Sequence, residues 1–138
     1  MNTVPIPAGV INWNTLNEIV SMDEDSPDFS KNLIIQYLEQ ANTTFDQIEQ
    51  ELQGNCDLEQ LASLGHFLRG SSAALGLQRI SWACERIQNL GRKREGGVEG
   101  QQLPDSHYAQ LITNALQCAR NEFKAAKAEL SAFYKSEL

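Results

Sequence analysis

The 138-residue chain has few cysteines, few positive charges and no long apolar run. Cys56, Cys84 and Cys118 are widely spaced and form no CxxC pair, which argues against a disulfide framework and a zinc site. Lys and Arg number 11 against 18 Asp and Glu, so nucleic acid and anionic membranes are unfavoured partners. No stretch approaches the roughly 18 apolar residues of a membrane span, and the N-terminus does not look like a secretion signal. We expect a soluble intracellular protein.

Helical periodicity dominates the chain, and no alternating strand pattern is convincing. Residues 1–138 are therefore predicted to form one all-α domain. A short extra N-terminal helix is expected over about residues 12–22, and four long helices over about 27–135 form the core. A Gly-rich loop at about 95–104 precedes the last helix. Because most connections are short, an antiparallel four-helix bundle is the predicted architecture.

Several helix ends carry recognisable signals. Ser26 is predicted to be the N-cap of the second helix, with Pro27 at its first helical position. Asp57 followed by Gln60 predicts a capping box at the start of the third helix. Gly76 suits the position just beyond the end of that helix.

Apolar residues spaced by three and four predict which face of each helix enters the core. In the last helix, Asp105 or Ser106 is the expected N-cap. The predicted core residues of that helix are Tyr108, Ile112, Ala115, Ala119, Ala126, Leu130 and Phe133.

The stretch "LGHFLRGSSAALG", residues 64–76, contains a histidine followed by a helix-interior glycine. Measured from the Leu68 stripe at about 100° per residue, His66 lies about 140° and Gly70 about 180° away, so both face outward. Glycine there costs about 1 kcal/mol relative to alanine, but it clears the surface one turn beyond the imidazole. Arg69 carries a fixed charge that suits phosphate. A neutral exposed imidazole is a competent nucleophile near pH 7.

This stretch also allows interpretations without a functional site. His66 can be an ordinary surface histidine, Arg69 can extend along the bundle edge, and the small residues can simply allow close helix packing. A metal site is disfavoured because no Cys, Asp or Glu lies three or four residues from His66, and His107 is distant in sequence. No catalytic triad is apparent.

The motif "HFLRGSSAALG" resembles the phosphorylation motif of histidine phosphotransfer (HPt) domains, in which Lys or Arg follows the histidine at +3 and Gly at +4. The continuation "LGLQRISWACERIQNLGRK" and the upstream "INWNTLNEIVSMDEDSPDFSKNLIIQYLEQANTTF" are similar to the fungal HPt proteins of the osmosensing phosphorelay, of the budding-yeast type. The likeness covers residues 8–94 densely and returns in "ALQCARNEFKAAKAELSAFY".

The resemblance implies a helical bundle that carries a phosphoryl group between receiver domains. His66 would accept it from an aspartate of a hybrid histidine kinase and pass it to an aspartate of a response regulator. Arg69 would be the positive neighbour, where Lys is commoner, Gly70 the clearance residue, and Gln88 the polar group that steadies the imidazole or phosphate. The region 95–104 is short, whereas some relatives carry a long acidic insertion there.

The resemblance also implies a carrier rather than a kinase. The sequence has no phosphate-binding glycine loop and no acidic cluster near His66. No cofactor is expected on this chain, and Mg²⁺ would belong to the partner receiver domain. A monomer in the cytoplasm and nucleus, acting in osmotic stress signalling, is the expectation. The alternative is a non-transferring helical adaptor that binds receiver domains.

A receiver domain needs an apolar surface around His66. On the second helix, Phe29 and Leu33 fall with two glutamines about 100° to 160° from the core stripe. Phe67 lies off its own helix's stripe, and the first helix can extend the surface, although that helix can instead simply cover Phe29 and Leu33. We call the predicted surface the docking patch; it comprises Thr15, Ile19, Met22, Phe29, Leu33, Gln36, Gln40 and Phe67.

Overall fold

A computed structural model describes residues 5–95, 98–99 and 103–138. Its helices and strands follow one another as α1 (Trp13–Val20), a 3₁₀ turn (Ser21–Glu24), α2 (Phe29–Gln53), α3 (Leu58–Ala74), α4 (Gln78–Gly91), β1 (Arg94–Glu95), β2 (Val98–Glu99) and α5 (Asp105–Tyr134). The predicted helical bundle with a short extra N-terminal helix is confirmed. Among the described helices, none is long and apolar enough to cross a bilayer.

The predicted Gly-rich loop contains a two-residue antiparallel strand pair, which the sequence did not indicate. Arg94 pairs with Glu99, and Glu95 pairs with Val98. Residues 96–97 and 100–102 of this predicted loop lie outside the described residues. Along the chain the pair lies between α4 and α5.

Apolar side chains of α2 to α5 form most of the core, and Leu16 of α1 and Leu77 between α3 and α4 add to it. Burying a side chain of Leu or Ile size contributes roughly 1.5–3 kcal/mol. One polar pair lies within this core, where the hydroxyls of Tyr37 and Ser72 are 2.6 Å apart. The largest fully buried side chains are Tyr108, Phe45, Leu16, Ile34, Ile48, Leu61, Leu68, Leu77, Ile80, Ile87, Ile112 and Leu130.

Phe133 is not the core residue that the stripe predicts. It is 41% exposed, and its ring packs against Trp13 of α1 at a tilt of 47°, with centroids 5.1 Å apart. The physical reason is its position in the last turn of α5, where the neighbouring long helices no longer cover the stripe and α1 supplies the contact.

The predicted start of α2 is wrong. The helix begins at Phe29 rather than after Ser26, and Asp28 before it adopts a left-handed conformation with φ 65° and makes no side-chain cap. Instead, Asp23 in the 3₁₀ turn accepts the Ser30 amide at 2.7 Å and the Ser30 hydroxyl at 2.6 Å. The carboxylate of Asp23, seven residues before Ser30, therefore takes the place of the predicted local cap.

One of the two hydrogen bonds of the predicted capping box is present at the start of α3. Asp57 is the N-cap, and its Oδ1 accepts the amides of Glu59 at 3.0 Å and Gln60 at 3.4 Å. The reciprocal bond expected from Gln60 is replaced, because Glu51 Oε2 at the end of α2 accepts the Asp57 amide at 3.0 Å.

Gly76 terminates α3 as predicted. Its φ is +80°, and the amides of Leu77 and Gly76 donate to the carbonyls of Ser72 and Ala73 at 2.9 and 3.0 Å. This paired pattern is a Schellman motif. The Gly76 carbonyl also accepts the Asn12 amide at 2.7 Å, which joins the end of α3 to the start of α1.

The predicted side-chain cap of α5 is wrong as well. Pro104 occupies the N-cap position and offers no cap, and Asp105 is already the first helical residue. The Asp105 carboxylate lies 3.0 Å from Lys93 Nζ. It therefore forms an ion pair near the positive end of the helix dipole rather than capping the backbone.

Candidate functional site

His66 lies on the exposed side of α3, one turn from two other predicted site residues. Its side chain is exposed, as is Gly70, while Arg69 is half-buried and Leu68 is fully buried on the opposite side. The outward direction predicted for His66 and Gly70 is confirmed. Among the described residues, none is hydrogen-bonded to the His66 imidazole. The ring is therefore available to a reactant that approaches from solvent.

Gly70 is surrounded by open space. A Cβ built there would meet no atom of the described residues within 4 Å beyond its own helix turn. Packing among the described residues therefore does not require glycine at this position, although glycine costs an exposed helix about 1 kcal/mol. The bare backbone beside His66 instead leaves room for another molecule.

Gly65, directly before His66, is a site residue that the sequence analysis missed. A Cβ there would lie 2.9 Å from the Gln88 amide nitrogen and 3.0 Å from the Cys84 carbonyl. Its missing side chain lets the backbones of α3 and α4 touch beside His66. Helical spacing places Gly65 on the inward side of α3, opposite Gly70, and this is the signal available in the sequence. The contact with α4 becomes visible only in the packed fold.

The close approach of α4 brings Gln88 to Arg69. Arg69 Nε donates to Gln88 Oε1 at 3.1 Å, and Gln88 is almost fully buried. Gln88 contacts the neighbouring guanidinium rather than the imidazole. Its role in steadying a phosphate on His66 stays a prediction. The Gln88 amide hydrogens and the Arg69 Nη groups have no hydrogen-bond partner among the described residues. These donors suit phosphoryl oxygens.

Ser81 is a second contact that the sequence did not indicate. Its hydroxyl, on α4, donates to the Arg69 carbonyl at 3.1 Å. This bond fixes the backbone of α3 directly before Gly70, where the missing side chain leaves the helix least supported. Arg69 is thus held at its backbone by Ser81 and at its side chain by Gln88.

A groove of about 470 Å³ runs between α2 and α3 beside Phe67. Gln36, Gln40 and Phe67 of the docking patch line it together. We call it the α2–α3 groove; its remaining lining residues, missed from the sequence, are Glu39, Thr43, Thr44 and Gln47. The surface next to His66 is therefore more polar than the docking patch alone implies.

The outer part of the docking patch is only partly open. Phe29 is 40% exposed and Met22 is 53% exposed, whereas Leu33 and Ile19 are half-buried against the core. Neither Phe29 nor Leu33 is fully covered, so the alternative that α1 simply covers both is at most partly correct. The bonds between Asp23 and Ser30 join the 3₁₀ turn, which contains Met22, to the first turn of α2, which contains Phe29.

Thr15 of the docking patch lies against the end of α3 and does not line the α2–α3 groove. Its Cβ lies 3.2 Å from where a Cβ on Gly76 would be. Gly76 follows His66 by ten residues, which is about 15 Å along a helix axis. Within the described chain, no group of three or more His, Cys, Asp or Glu side chains could hold a metal ion.

Comparisons with known proteins place the chain among phosphotransfer proteins. The Hpt domain model matches residues 32–129. Phosphorelay intermediate protein YPD1 of Saccharomyces cerevisiae is 48% identical, over 96% of this chain and 98% of that protein. Multistep phosphorelay regulator 1 of Schizosaccharomyces pombe is 40% identical, over 91% and 43% respectively. The S. cerevisiae Ypd1 chain, co-crystallised with the receiver domain of its downstream response regulator Ssk1, superposes with a TM-score of 0.90, 49% identity and coverage of 97% and 100%.

Proposed function

This chain belongs to the Hpt domain family, and we propose that His66 is its phosphoacceptor. The protein is a phosphorelay intermediate that passes a phosphoryl group to a response regulator. The observation that carries the role of His66 is its exposed imidazole, unbonded among the described residues and flanked by Arg69 and by the open backbone at Gly70.

The transfer follows from this geometry. A ring nitrogen of neutral His66 attacks the phosphorus of an aspartyl phosphate on a receiver domain; the new P–N bond forms as the P–O bond to the aspartate breaks. The aspartate leaves as a carboxylate, and the imidazole releases its remaining ring proton to solvent. Arg69 Nη and the Gln88 amide donate to the phosphoryl oxygens.

The second half-reaction reverses these bond changes on another receiver domain. Its aspartate attacks phosphorus, the P–N bond breaks, and His66 recovers a proton from solvent. Mg²⁺, which neutralises charge on the transferring group, would be held by the receiver domain. The chain acts as a carrier without an ATP site of its own.

The partners are the receiver domain of a hybrid histidine kinase and those of response regulators. The co-crystal of Ypd1 with the Ssk1 receiver domain supports binding of a receiver domain by this chain. We propose that both kinds of receiver use one surface, made by the docking patch and the α2–α3 groove. We place the protein in the cytoplasm and nucleus, in osmotic stress signalling. Fluorescent tagging under salt stress tests this location.

A transfer assay tests the role of His66. Incubation with a phosphorylated receiver domain and Mg²⁺ should give a label that is stable in base and lost in acid, as expected for phosphohistidine. The chain has two histidines, so His107→Gln is the matched control and should keep the label that His66→Gln loses. A label retained by His66→Gln would overturn the assignment, and receiver binding without any label would indicate the adaptor.

A further inference from the structure

The segment before α1 is fastened to the start of α4. Arg79 donates from Nε to the Pro7 carbonyl at 2.9 Å and from Nη2 to the Ala8 carbonyl at 3.0 Å. Gln78 Nε2 donates to the Gly9 carbonyl at 2.6 Å. Three consecutive carbonyls are thus held by two adjacent side chains about seventy residues away. We call residues 7–12 the N-terminal strap.

The N-terminal strap leads directly into α1. Ile11 is 5% exposed and belongs to the core. The Asn12 amide donates to the Gly76 carbonyl at 2.7 Å, and its side chain caps α1 by accepting the Thr15 amide at 3.4 Å. Since α1 has only 8 residues, it is far shorter than the roughly 12 to 15 residues that an isolated helix needs. It therefore depends on such anchors.

The guanidinium of Arg79 makes its contacts within the fold. It also lies 3.9 Å from Glu122 of α5, with only 28% of its side chain exposed. Charged donors make the stronger hydrogen bonds to backbone carbonyls. The Arg79 guanidinium thus joins the N-terminal strap, α4 and α5, and it is separate from the contacts around His66.

We propose that Arg79 and Gln78 are positioning residues for receiver docking. They hold the N-terminal strap, the strap fixes the start of α1, and α1 with its following turn presents Ile19 and Met22 to a receiver domain. This inference rests on the proposed function, since it assigns the strap to the docking step. It leaves the chemistry at His66 untouched, because Arg69 and Gln88 are held by α3 and α4 alone.

Steady-state relay tests this positioning role: a small amount of this chain passes phosphate from a phosphorylated donor receiver domain to an excess of acceptor receiver domain, and KM is measured for the donor receiver. Arg79→Ala should raise KM for the receiver roughly three- to tenfold through loss of two charged hydrogen bonds, with kcat unchanged. Gln78→Ala should act in the same direction, and Arg79→Lys should restore part of the loss. Glu122→Gln is the matched control, because it removes the 3.9 Å ion pair but leaves the strap bonds; its KM should remain normal.

Amide hydrogen exchange gives an independent readout of the strap. Residues 13–20 should exchange faster in Arg79→Ala than in wild type, while residues 58–74 should not. Unchanged KM and unchanged exchange in both Arg79→Ala and Gln78→Ala would overturn the inference. Absence of any wild-type label at His66 would instead overturn the proposed function, and the exchange measurement would still decide whether the strap holds α1.

Discussion

Two glycines of α3, five residues apart, have opposite surroundings. Gly65 lies against the backbone of α4, where a Cβ would approach the Gln88 nitrogen to 2.9 Å. Gly70 faces open space. The same residue type thus serves close helix packing at one position and access at the other, and substitution separates the two roles.

Alanine at these glycines should change stability in opposite directions. Gly65→Ala should lower the free energy of unfolding by roughly 1–3 kcal/mol, because the added methyl forces α4 away. Gly70→Ala should raise it by up to about 1 kcal/mol, the helix-propensity difference. Urea denaturation measures both, and equal effects would contradict the packing difference.

A larger side chain at Gly70 should obstruct a partner without disturbing the fold. Gly70→Gln is expected to slow phosphotransfer from a receiver domain at least tenfold, an order-of-magnitude expectation for a blocked interface. Labelling of His66 by the small donor phosphoramidate should stay at the wild-type rate, as should the melting temperature. Normal receiver transfer in this variant would show that Gly70 does not provide clearance.

Cys84 is a buried thiol, and burial raises its pKa to about 12. The thiolate is the reactive form, so its fraction stays small throughout the range pH 7 to 9 while the protein is folded. We expect iodoacetamide to spare Cys84 in the native protein and to modify it after unfolding in urea. Peptide mass spectrometry checks this, and rapid native labelling at pH 8 would contradict it.

At the scale of elements, helix ends with local signals were predicted better than those with distant ones. Asp57 caps amides two and three residues further along the chain, and Gly76 donates to a carbonyl three residues before it. Both signals are therefore local. The start of α2 depends on Asp23, which reaches Ser30 only because the 3₁₀ turn folds back on the helix. Sequence propensity favours Ser26, but it contains no information on this tertiary contact.

The start of α2 offers a paired test of this difference. Asp23→Ala should lower the free energy of unfolding by about 1–2 kcal/mol, as for loss of an N-cap. Ser26→Ala, at the residue that the sequence favours, should change it by less than about 0.5 kcal/mol. Thermal and urea unfolding measure both losses of stability. A larger loss in Ser26→Ala than in Asp23→Ala would show that Ser26 caps α2.

At the scale of the whole molecule, periodicity predicted that His66 and Gly70 share an outward face with Arg69 beside them, because a single helix carries all three. It could not reveal the α2–α3 groove, since Glu39, Thr43 and Gln47 become neighbours of Phe67 only when two helices pack. Gly65 and Ser81 were missed for the same reason, because both act between α3 and α4.

Two apolar members of the docking patch should respond differently to truncation. Phe67 is 48% exposed, so Phe67→Ala should weaken receiver binding about tenfold with little loss of stability. Leu33 is half-buried against the core, so Leu33→Ala should weaken binding and also reduce the free energy of unfolding by about 1–2 kcal/mol. Titration calorimetry measures the affinity and urea unfolding measures the stability. Unchanged affinity in both variants would show that the receiver binds another surface.

His66, Phe67 and the α2–α3 groove all lie on one side of the bundle. Under the proposed function both receivers reach His66 from this side, so we expect donor and acceptor to use the carrier in turn, since a bound donor would exclude the acceptor. The relay rate should rise with donor concentration, pass through a maximum and then fall as unphosphorylated donor occupies the carrier. A cell containing this carrier would thus tune its signal through the ratio of the two receivers, as well as through kinase activity.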